Sequence, residues 1–444
     1  MAGSEGIFRS GDYNLINLDL YATEDFAGPP VSLKDLFLEF HIFEDSQRPF
    51  MYGHITIQDA IGLFSKLPIL GEETIYIKFE TPNKEPIEVE ANIYKVTDRQ
   101  RIGTNSQMYV LHWVSKEYIQ GLQTPISRSY KDLKAHEIAK ELYDEYMKIE
   151  DYSIRQTKEL FTEDMLDPQW VVFPYWTPEQ CLTFMAGKSV SEEYFEGDPV
   201  IFFEDRRGFH FRTMRQLIWD EDVTPGSGEE EKLYYTSHPS APGDTDDASG
   251  SMLRVSNMRV VSSTDTVQRM MGGYYKSKTM NIDWERHLIH EKDYHIIQDF
   301  DLNQRVYAEG EQFAFNTDTF MNKIKRDAHV RLIQTRWGQK DDGGIAGMTE
   351  ETFDFDKFEH ISKRINREYK GITVEATVPG NTVRKLFDTI TLDVEEPDAT
   401  AKEKDKYLSG RYYINAIHHI ITPGNYEHVV ECVKDALGKK LERE

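Results

Sequence analysis

The end of this chain repeats its beginning. Leu70-Gly-Glu-Glu-Thr-Ile-Tyr-Ile-Lys-Phe-Glu-Thr-Pro-Asn83 alternates apolar and polar residues and breaks at Pro-Asn. Leu386-Phe-Asp-Thr-Ile-Thr-Leu-Asp-Val-Glu-Glu-Pro-Asp398 does the same and breaks at Pro-Asp. An acidic loop and two further alternating stretches follow each copy, 89–98 and 108–117 in the first, 410–421 and 426–435 in the second. Upstream, Gly53-His-Ile-Thr-Ile-Gln-Asp59 matches Ser277-Lys-Thr-Met-Asn-Ile-Asp283, both closing on Asp. Period-two alternation marks half-buried strands. A β module that occurs twice around a long insert belongs to a symmetric construction, and says little about chemistry.

A length of 444 residues exceeds one ordinary core, so two to four domains are expected. No apolar run reaches the roughly 18 residues of a membrane helix. Met1-Ala-Gly-Ser-Glu-Gly6 lacks the features of a signal peptide, so no membrane insertion is expected. Cys181 and Cys432 stand among apolar neighbours and read as buried free thiols suited to a reducing compartment. The formal charge of −25 argues against ordinary nucleic-acid binding, which needs clustered Lys and Arg on phosphates. It fits a solvated acidic surface, or one that DNA slides past without sticking.

The first alternating region begins at Leu38, and five or six antiparallel strands by residue 117 are enough to close a small barrel. After Tyr118 the character changes. Leu133, Ile138, Leu142 and Tyr146 mark one face of a helix expected over 132–146. Residues 168–178 form an aromatic, turn-rich stretch, and Thr177 caps a second helix that starts with Pro178. Residues 200–212 read as a hairpin turned at Gly208. Residues 225–251 read as a long exposed loop interrupted by Leu233-Tyr-Tyr235, and helical pieces are expected over 319–335 and 355–369.

The expected class is α+β, mainly β: two similar antiparallel β-barrels, the second discontinuous, around a mixed α/β middle domain. The expected boundaries are an arm at 1–13, a first barrel at 14–118, a middle domain at 119–252 and 299–370, a second barrel at 253–298 and 371–437, and a tail at 438–444.

Chemistry is hard to place. His287, His290 and His295 near Glu291 and Asp293 read as ordinary histidines of a surface loop, because on a strand the first two diverge. His418 and His419 are adjacent in a strand and diverge as well. No Cys-x-x-Cys, His-Glu-x-x-His, phosphate loop or Gly-x-Ser-x-Gly occurs, so no metal, cofactor or catalytic residue is nominated. Glu204-Asp205, between Phe203 and Arg206-Arg207, is the best-placed carboxylate pair for glycoside hydrolysis, and a salt-bridged hairpin explains it better. Trp170, Tyr175 and Trp176 could stack on sugars or bases, but without a basic groove they are expected to pack against the second helix.

Taken in order, these segments resemble a known family. The stretch from Gly53 to Asp59 followed by Leu67-Pro-Ile-Leu-Gly-Glu-Glu-Thr-Ile-Tyr-Ile-Lys-Phe79 resembles the first barrel of the baseplate central hub proteins of contractile-tailed bacteriophages. The 171–178 stretch with Phe202-Phe-Glu-Asp-Arg-Arg-Gly-Phe-His-Phe211 is similar to that family's middle domain. Val374-Glu-Ala-Thr-Val-Pro-Gly-Asn381, Tyr407-Leu-Ser-Gly-Arg-Tyr-Tyr-Ile414 and Val433-Lys-Asp435 resemble its second barrel. The motif positions carried over are Asp59, Pro68, Gly71, Asp205, Gly208, Asp283, Pro379, Gly380, Ser409, Gly410, Lys434 and Asp435. The 225–251 loop and the acidic 395–406 insert do not align.

The resemblance implies a homotrimer whose six similar barrels form a pseudo-six-fold ring. Such a ring joins a hexameric tail tube to a trimeric tail spike, with baseplate wedge proteins as further partners, and surrounds the channel through which DNA passes without specific binding. It implies a structural protein of the virion tail baseplate, made and assembled in the host cytoplasm, with no enzymatic activity. An acidic lumen would repel phosphates. Two alternatives remain open. One is the spike of a type VI secretion or other contractile injection system, whose front half shares the two-barrel plan. The other is a tail-associated cell-wall hydrolase.

Overall fold

The computed structural model describes residues 10–22, 29–67, 69–82, 84–103, 106–150, 157–166, 168–193, 198–219, 231–235, 253–263, 267, 276–283, 288–295, 329–334, 338–339, 345–346, 371–396 and 404–435. It is mainly β, with few and short helices. The first part of the chain forms β1 (Asn14–Tyr21), β2 (Val31–Ser32), β3 (Phe37–Asp45), β4 (Tyr52–Asp59), α1 (Leu63–Lys66), β5 (Thr74–Glu80), β6 (Ile87–Arg101) and β7 (Gln107–Ser115). The middle part forms α2 (Lys116–Gln123), β8 (Ile126–Lys134), α3 (Ala135–Tyr146), β9 (Leu160–Thr162), β10 (Pro168–Trp176), α4 (Pro178–Ala186), β11 (Val200–Asp205), β12 (Gly208–Thr213) and α5 (Met214–Trp219). Then come β13 (Glu231–Tyr235), β14 (Asn257–Ser262), β15 (Lys276–Asp283), β16 (Leu288–His295), β17 (His329–Gln334), β18 (Gly338–Gln339), β19 (Ile345–Ala346), β20 (Ile372–Pro379), β21 (Thr389–Val394), β22 (Gly410–Thr422) and β23 (Asn425–Lys434).

One sheet joins both ends of the chain. Its order is β14-β20-β23-β22-β3-β4-β7-β6-β5-β1-β2, with β21 on β22 and β13 on β21. Each half follows the same plan, β3-β4-β7-β6-β5-β1 in the first and β14-β20-β23-β22-β21-β13 in the second. The long strand of each half carries a bulge at the same place, between Ile93 and Lys95 against β7 and between Ile414 and Ala416 against β23. The repeat read in the sequence therefore persists as matching registers, with Thr74 and Ile75 taking the places of Thr389 and Ile390. The first and last strands differ in direction: β1 is antiparallel to β5, whereas β13 is parallel to β21.

Each half curls round its own core. Leu18 and Leu20 of β1 share one apolar cluster with Phe40 and Ile42 of β3, although these strands lie far apart in the order. Leu233 of β13 likewise shares a cluster with Val374 and Ala376 of β20, and Met258 of β14 packs on it. A flat sheet could not bring such strands together, so the sheet bends into two barrel-like shells. A third cluster joins α3, α4, β10 and the β11–β12 hairpin in the middle part.

Several sequence expectations need correcting. The counterpart of Gly53–Asp59 is β20, which holds the same place in the order, and not Ser277–Asp283. That segment is β15, which pairs with β16 and β17 in a separate three-stranded sheet. Alternation announces a strand but not its neighbour. The stretch 231–235 within the expected loop is a strand with Leu233 buried. The helix expected over 132–146 starts at Ala135, since Leu133 pairs with Gln169 in a strand and Glu137 accepts from the Lys134 amide at 2.7 Å. The aromatic stretch at 168–176 is strand β10. Residues 329–334 are strand rather than helix, and the helix expected over 355–369 lies outside the described residues. The expected start of the second helix matches the structure: Thr177 Oγ1 accepts from the Gln180 amide at 3.4 Å, with Pro178 in the first turn.

Candidate functional site

Three parts of the chain meet at the β11–β12 hairpin, and period two decides how. Phe202 points into the middle core and Phe203 into the core of the second barrel. Glu204 then turns to the first barrel. Its Oε2 accepts from the Met51 amide at 2.9 Å and from the Ser115 hydroxyl. Its Oε1 accepts from Lys158 Nζ at 2.6 Å, and the same amine reaches Glu117 Oε2 at 2.8 Å. All three side chains are buried. Burial pushes the Glu204 carboxyl up, Lys158 pulls it back, and Glu117 pushes it up again.

Asp205 closes the turn instead. It accepts from the Arg207 amide and Nε, both at 2.8 Å, and lies 3.1 Å from His210 Nε2. Burial opposes its charge, but Arg207 and His210 outweigh burial and hold the carboxyl well below the usual carboxylate range. Gly208 has φ +151, and a Cβ there would meet the Glu159 carbonyl at 2.6 Å. Arg206 donates to the Thr382 carbonyl of the second barrel. The Glu204-Asp205 pair is thus a wedge between modules, with both carboxylates engaged by protein donors. This arrangement is the salt-bridged hairpin expected from the sequence.

The two barrels also join directly. β22 pairs with β3 from Ala416–Asp45 to Ile421–Phe40. On the core side of this seam, Glu231 holds Arg384 through two bonds of 2.7 and 3.0 Å. Arg384 Nη1 lies 2.7 Å from His428 Nδ1, His428 Nε2 lies 2.5 Å from Tyr426 Oη, Tyr426 Oη lies 2.8 Å from His419 Nδ1, and His419 Nε2 lies 2.9 Å from Glu44 Oε1. Elimination assigns the protons. Guanidinium only donates, so His428 Nδ1 accepts and Nε2 carries the hydrogen. That hydrogen goes to Tyr426, whose own hydrogen goes to His419, and His419 donates to Glu44. The chain of bonds crosses from the second barrel to the first with both imidazoles neutral. Burial, the largest influence on each, pushes both below the ordinary histidine value.

The opposite face of the seam carries a second histidine group. Register aligns His41 with His54 and His54 with His112 across β3, β4 and β7, while His418 of β22 sits opposite Phe43. His41 Nδ1 and His418 Nε2 are 2.8 Å apart, and the His41 and His54 rings stack at 4.3 Å. Burial comes first in lowering all four; His54 falls to about 4 and His418 to about 3, with neighbouring histidines as further causes. The expectation that His418 and His419 diverge is met: one faces this row and the other Glu44. Because the histidines of the two groups come from five strands, only adjacency of His418 and His419 was visible in the sequence.

The carried-over motif positions do not gather at one place. Asp59 ends β4 and accepts from the Ile61 and Leu63 amides at 3.0 and 2.8 Å and from Gln107. Gly71 has φ +99 in the turn before β5, and Pro68 lies outside the described residues. Asp283 ends β15 in the separate sheet. Pro379 ends β20, and a Cβ on Gly380 would strike the Tyr426 ring at 2.2 Å. Ser409, Gly410 and Lys434 do come together: Ser409 Oγ bridges the Val394 amide and carbonyl at 3.0 Å each, Gly410 has φ +138, and Lys434 Nζ donates to the Tyr407 and Ser409 carbonyls. Burial brings Lys434 down to about 8. Asp435 follows directly.

The aromatic group separates. Trp176 packs edge-on against Phe184 of α4 as expected, at 5.3 Å. Trp170 and Tyr175 are instead 57% and 72% exposed, with Trp170 Nε1 donating to Asp132 and Lys131 lying over its ring. Cys181 and Cys432 are buried free thiols, each pushed up to about 12, first by burial. His290 and His295 lie on strand β16 rather than on a loop, and His287 lies outside the described residues. Among the described residues, no cluster of three or more His, Cys, Asp or Glu is arranged to hold a metal ion, and no helix is long and apolar enough to cross a membrane.

No protein-family profile matches the chain, and no curated protein matches it in sequence. Its fold matches solved structures. A tail protein from Neisseria meningitidis superposes with a TM-score of 0.53 at 10% identity, covering 95% of this chain and 97% of that one. The 43 kDa tail protein of prophage MuSo2 from Shewanella oneidensis superposes with a TM-score of 0.52 at 10% identity, covering 94% and 98%. The chain therefore has the fold of these tail proteins along nearly its whole length.

Proposed function

We propose that this protein is the structural hub of a contractile-tail baseplate. It would work as a homotrimer whose duplicated barrels form a pseudo-six-fold ring, joining a hexameric tail tube to a trimeric spike around the DNA channel. The observation that carries this reading is one filled edge and one open edge at equivalent places. β21 leaves β22 after Tyr413, and β3 takes over along Ala416–Ile421. β5 leaves β6 at Asn92, yet no strand among the described residues covers the same edge of β6 from Tyr94 to Arg101. β14 ends the order at the other side, with Val260 and Val261 exposed.

Since β6 corresponds to β22 and β14 to β3, repeating the internal joint sets β6 of one copy against β14 of the next. Open edges of this kind recruit strands. A head-to-tail contact either closes into a ring or grows a filament, and two barrels per chain reach six with three chains. In this arrangement the face turned from the cores lines the channel. It carries Glu39, Glu427 and Glu431, whose charge would repel passing phosphates, while Glu375 and Asp45 on the same face are paired with Arg259 and Arg48. No chemical step is assigned, and purified peptidoglycan is expected to stay intact on incubation with the protein.

Light scattering tests the assembly. A mass threefold that of the 51.8 kDa chain, with six similar lobes in electron micrographs, is the expected result. A particle that stays at one chain mass at high concentration, and with tube and spike proteins added, would overturn the reading.

A further inference from the structure

The seam between the barrels is held on both faces by histidines, and its bonds use unprotonated ring nitrogens as acceptors. His41 and His418 face each other nitrogen to nitrogen at 2.8 Å, so one must offer a lone pair. A proton on each would set two N–H groups against one another. His54 stacks on His41 and His112 lies next along the row at 5.8 Å, so further cations there would repel. On the core face, a second proton on His428 would point at Arg384, and one on His419 would remove the acceptor of Tyr426.

We propose that this seam is a proton-operated latch: β22 and β3 stay joined while His41, His54, His112, His418, His419 and His428 are neutral, and part when those histidines take up protons. The latch lies within a single chain and does not depend on the ring built from it. The surrounding charges do not cancel it. Glu39 Oε2 lies 3.6 Å from His41 Nε2 and favours a proton there, but Glu39 is partly exposed, which screens it in part. Asp45 shares the strand of His41, Lys95 and Asp98 of β6 flank His112, and Glu427 and Glu431 of β23 lie beyond His418. Glu44 and Arg206 meet His419, and Arg384 meets His428. Burial lowers all six histidines despite these carboxylates.

The sign follows from the lowered values. A histidine whose folded value lies below its free one contributes stability above about pH 6.5, and loses it as pH falls toward the folded value. Each such group shifts the balance about tenfold per pH unit in that window. Partial exposure of the outer row screens some of this, so about tenfold in total is a floor near pH 4.5.

Hydrogen exchange on the full-length protein tests the latch, with rates corrected for the chemical effect of pH. Between about pH 7 and pH 4.5, amides of β3 and β22 are expected to lose at least about tenfold protection relative to α3 and α4. The double variant His41→Gln/His418→Gln keeps one donor and one acceptor across the seam, and is expected to retain more of that protection than the parent, with the four remaining histidines still responding. His54→Phe keeps the stack without a titrating group and serves should the double variant fail to fold. Equal loss of protection in all parts of the protein would overturn the proposal, as would no loss at the seam. An acid response in both variants equal to that of the parent would also overturn it.

Discussion

Replacing Lys158 with Met is the sharpest test of the wedge. The amine lies buried at 2.6 Å from Glu204 and 2.8 Å from Glu117, and Glu204 in turn holds Met51 and Ser115. Met fills similar volume but leaves two buried carboxylates facing each other without a cation. Breaking a buried pair from one side costs about 3–5 kcal/mol, because the remaining charge keeps its desolvation penalty. For a unit of this size that corresponds to a midpoint lower by roughly 6–20 °C. The loss should also depend on pH. Burial already raises Glu204, and removing Lys158 raises it further. An acid raised by folding is stabilised by protonation, so the deficit of Lys158→Met should shrink as pH falls from about 7 toward 5. Denaturant melts at several pH values give both quantities. The triple variant Lys158→Met/Glu117→Gln/Glu204→Gln should recover part of the loss, since no uncompensated charge remains. A cost below about 1 kcal/mol, or a deficit unchanged with pH, would refute the argument.

Gly380→Ala should destabilise by at least about 2 kcal/mol in thermal melts, because its Cβ would lie 2.2 Å from the Tyr426 ring that the core-side bonds hold in place. Gly53→Ala should do the same, with the His41 carbonyl at 2.1 Å and Trp113 at 2.3 Å. Lys434→Met should flatten the alkaline side of the stability profile: an amine lowered from 10.5 to about 8 makes the parent gain up to about 3 kcal/mol as pH rises through that window, and the variant has no amine to release. Val260→Lys on the open edge of β14 should change folding stability by no more than about 0.5 kcal/mol in thermal melts. It should weaken self-association more than tenfold in sedimentation, since an edge lysine discourages strand addition.

Much of the local structure was legible in the sequence. Alternation placed β5 and β21, Thr177 and Pro178 placed the start of α4, and Gly208 placed the hairpin turn. These features depend on neighbours in the chain: strand period, a cap and a backbone position that a side chain would crowd. The match of the two barrels was legible for the same reason, as two copies of one local pattern.

What only the tertiary structure decided is partnership. Ser277–Asp283 and Ile372–Pro379 alternate equally well, and the choice between them rests on which sheet edge each meets. Glu204 is one carboxylate among many until folding carries it to Lys158, Ser115 and Met51, contacts spanning 46, 89 and 153 residues. His41 and His418 are 377 residues apart, and strand register alone brings them within a hydrogen bond. A sequence carries periods and turns because these are local energies. It does not display which distant groups become neighbours, because that choice minimises the open edges and unpaired charges of the whole fold.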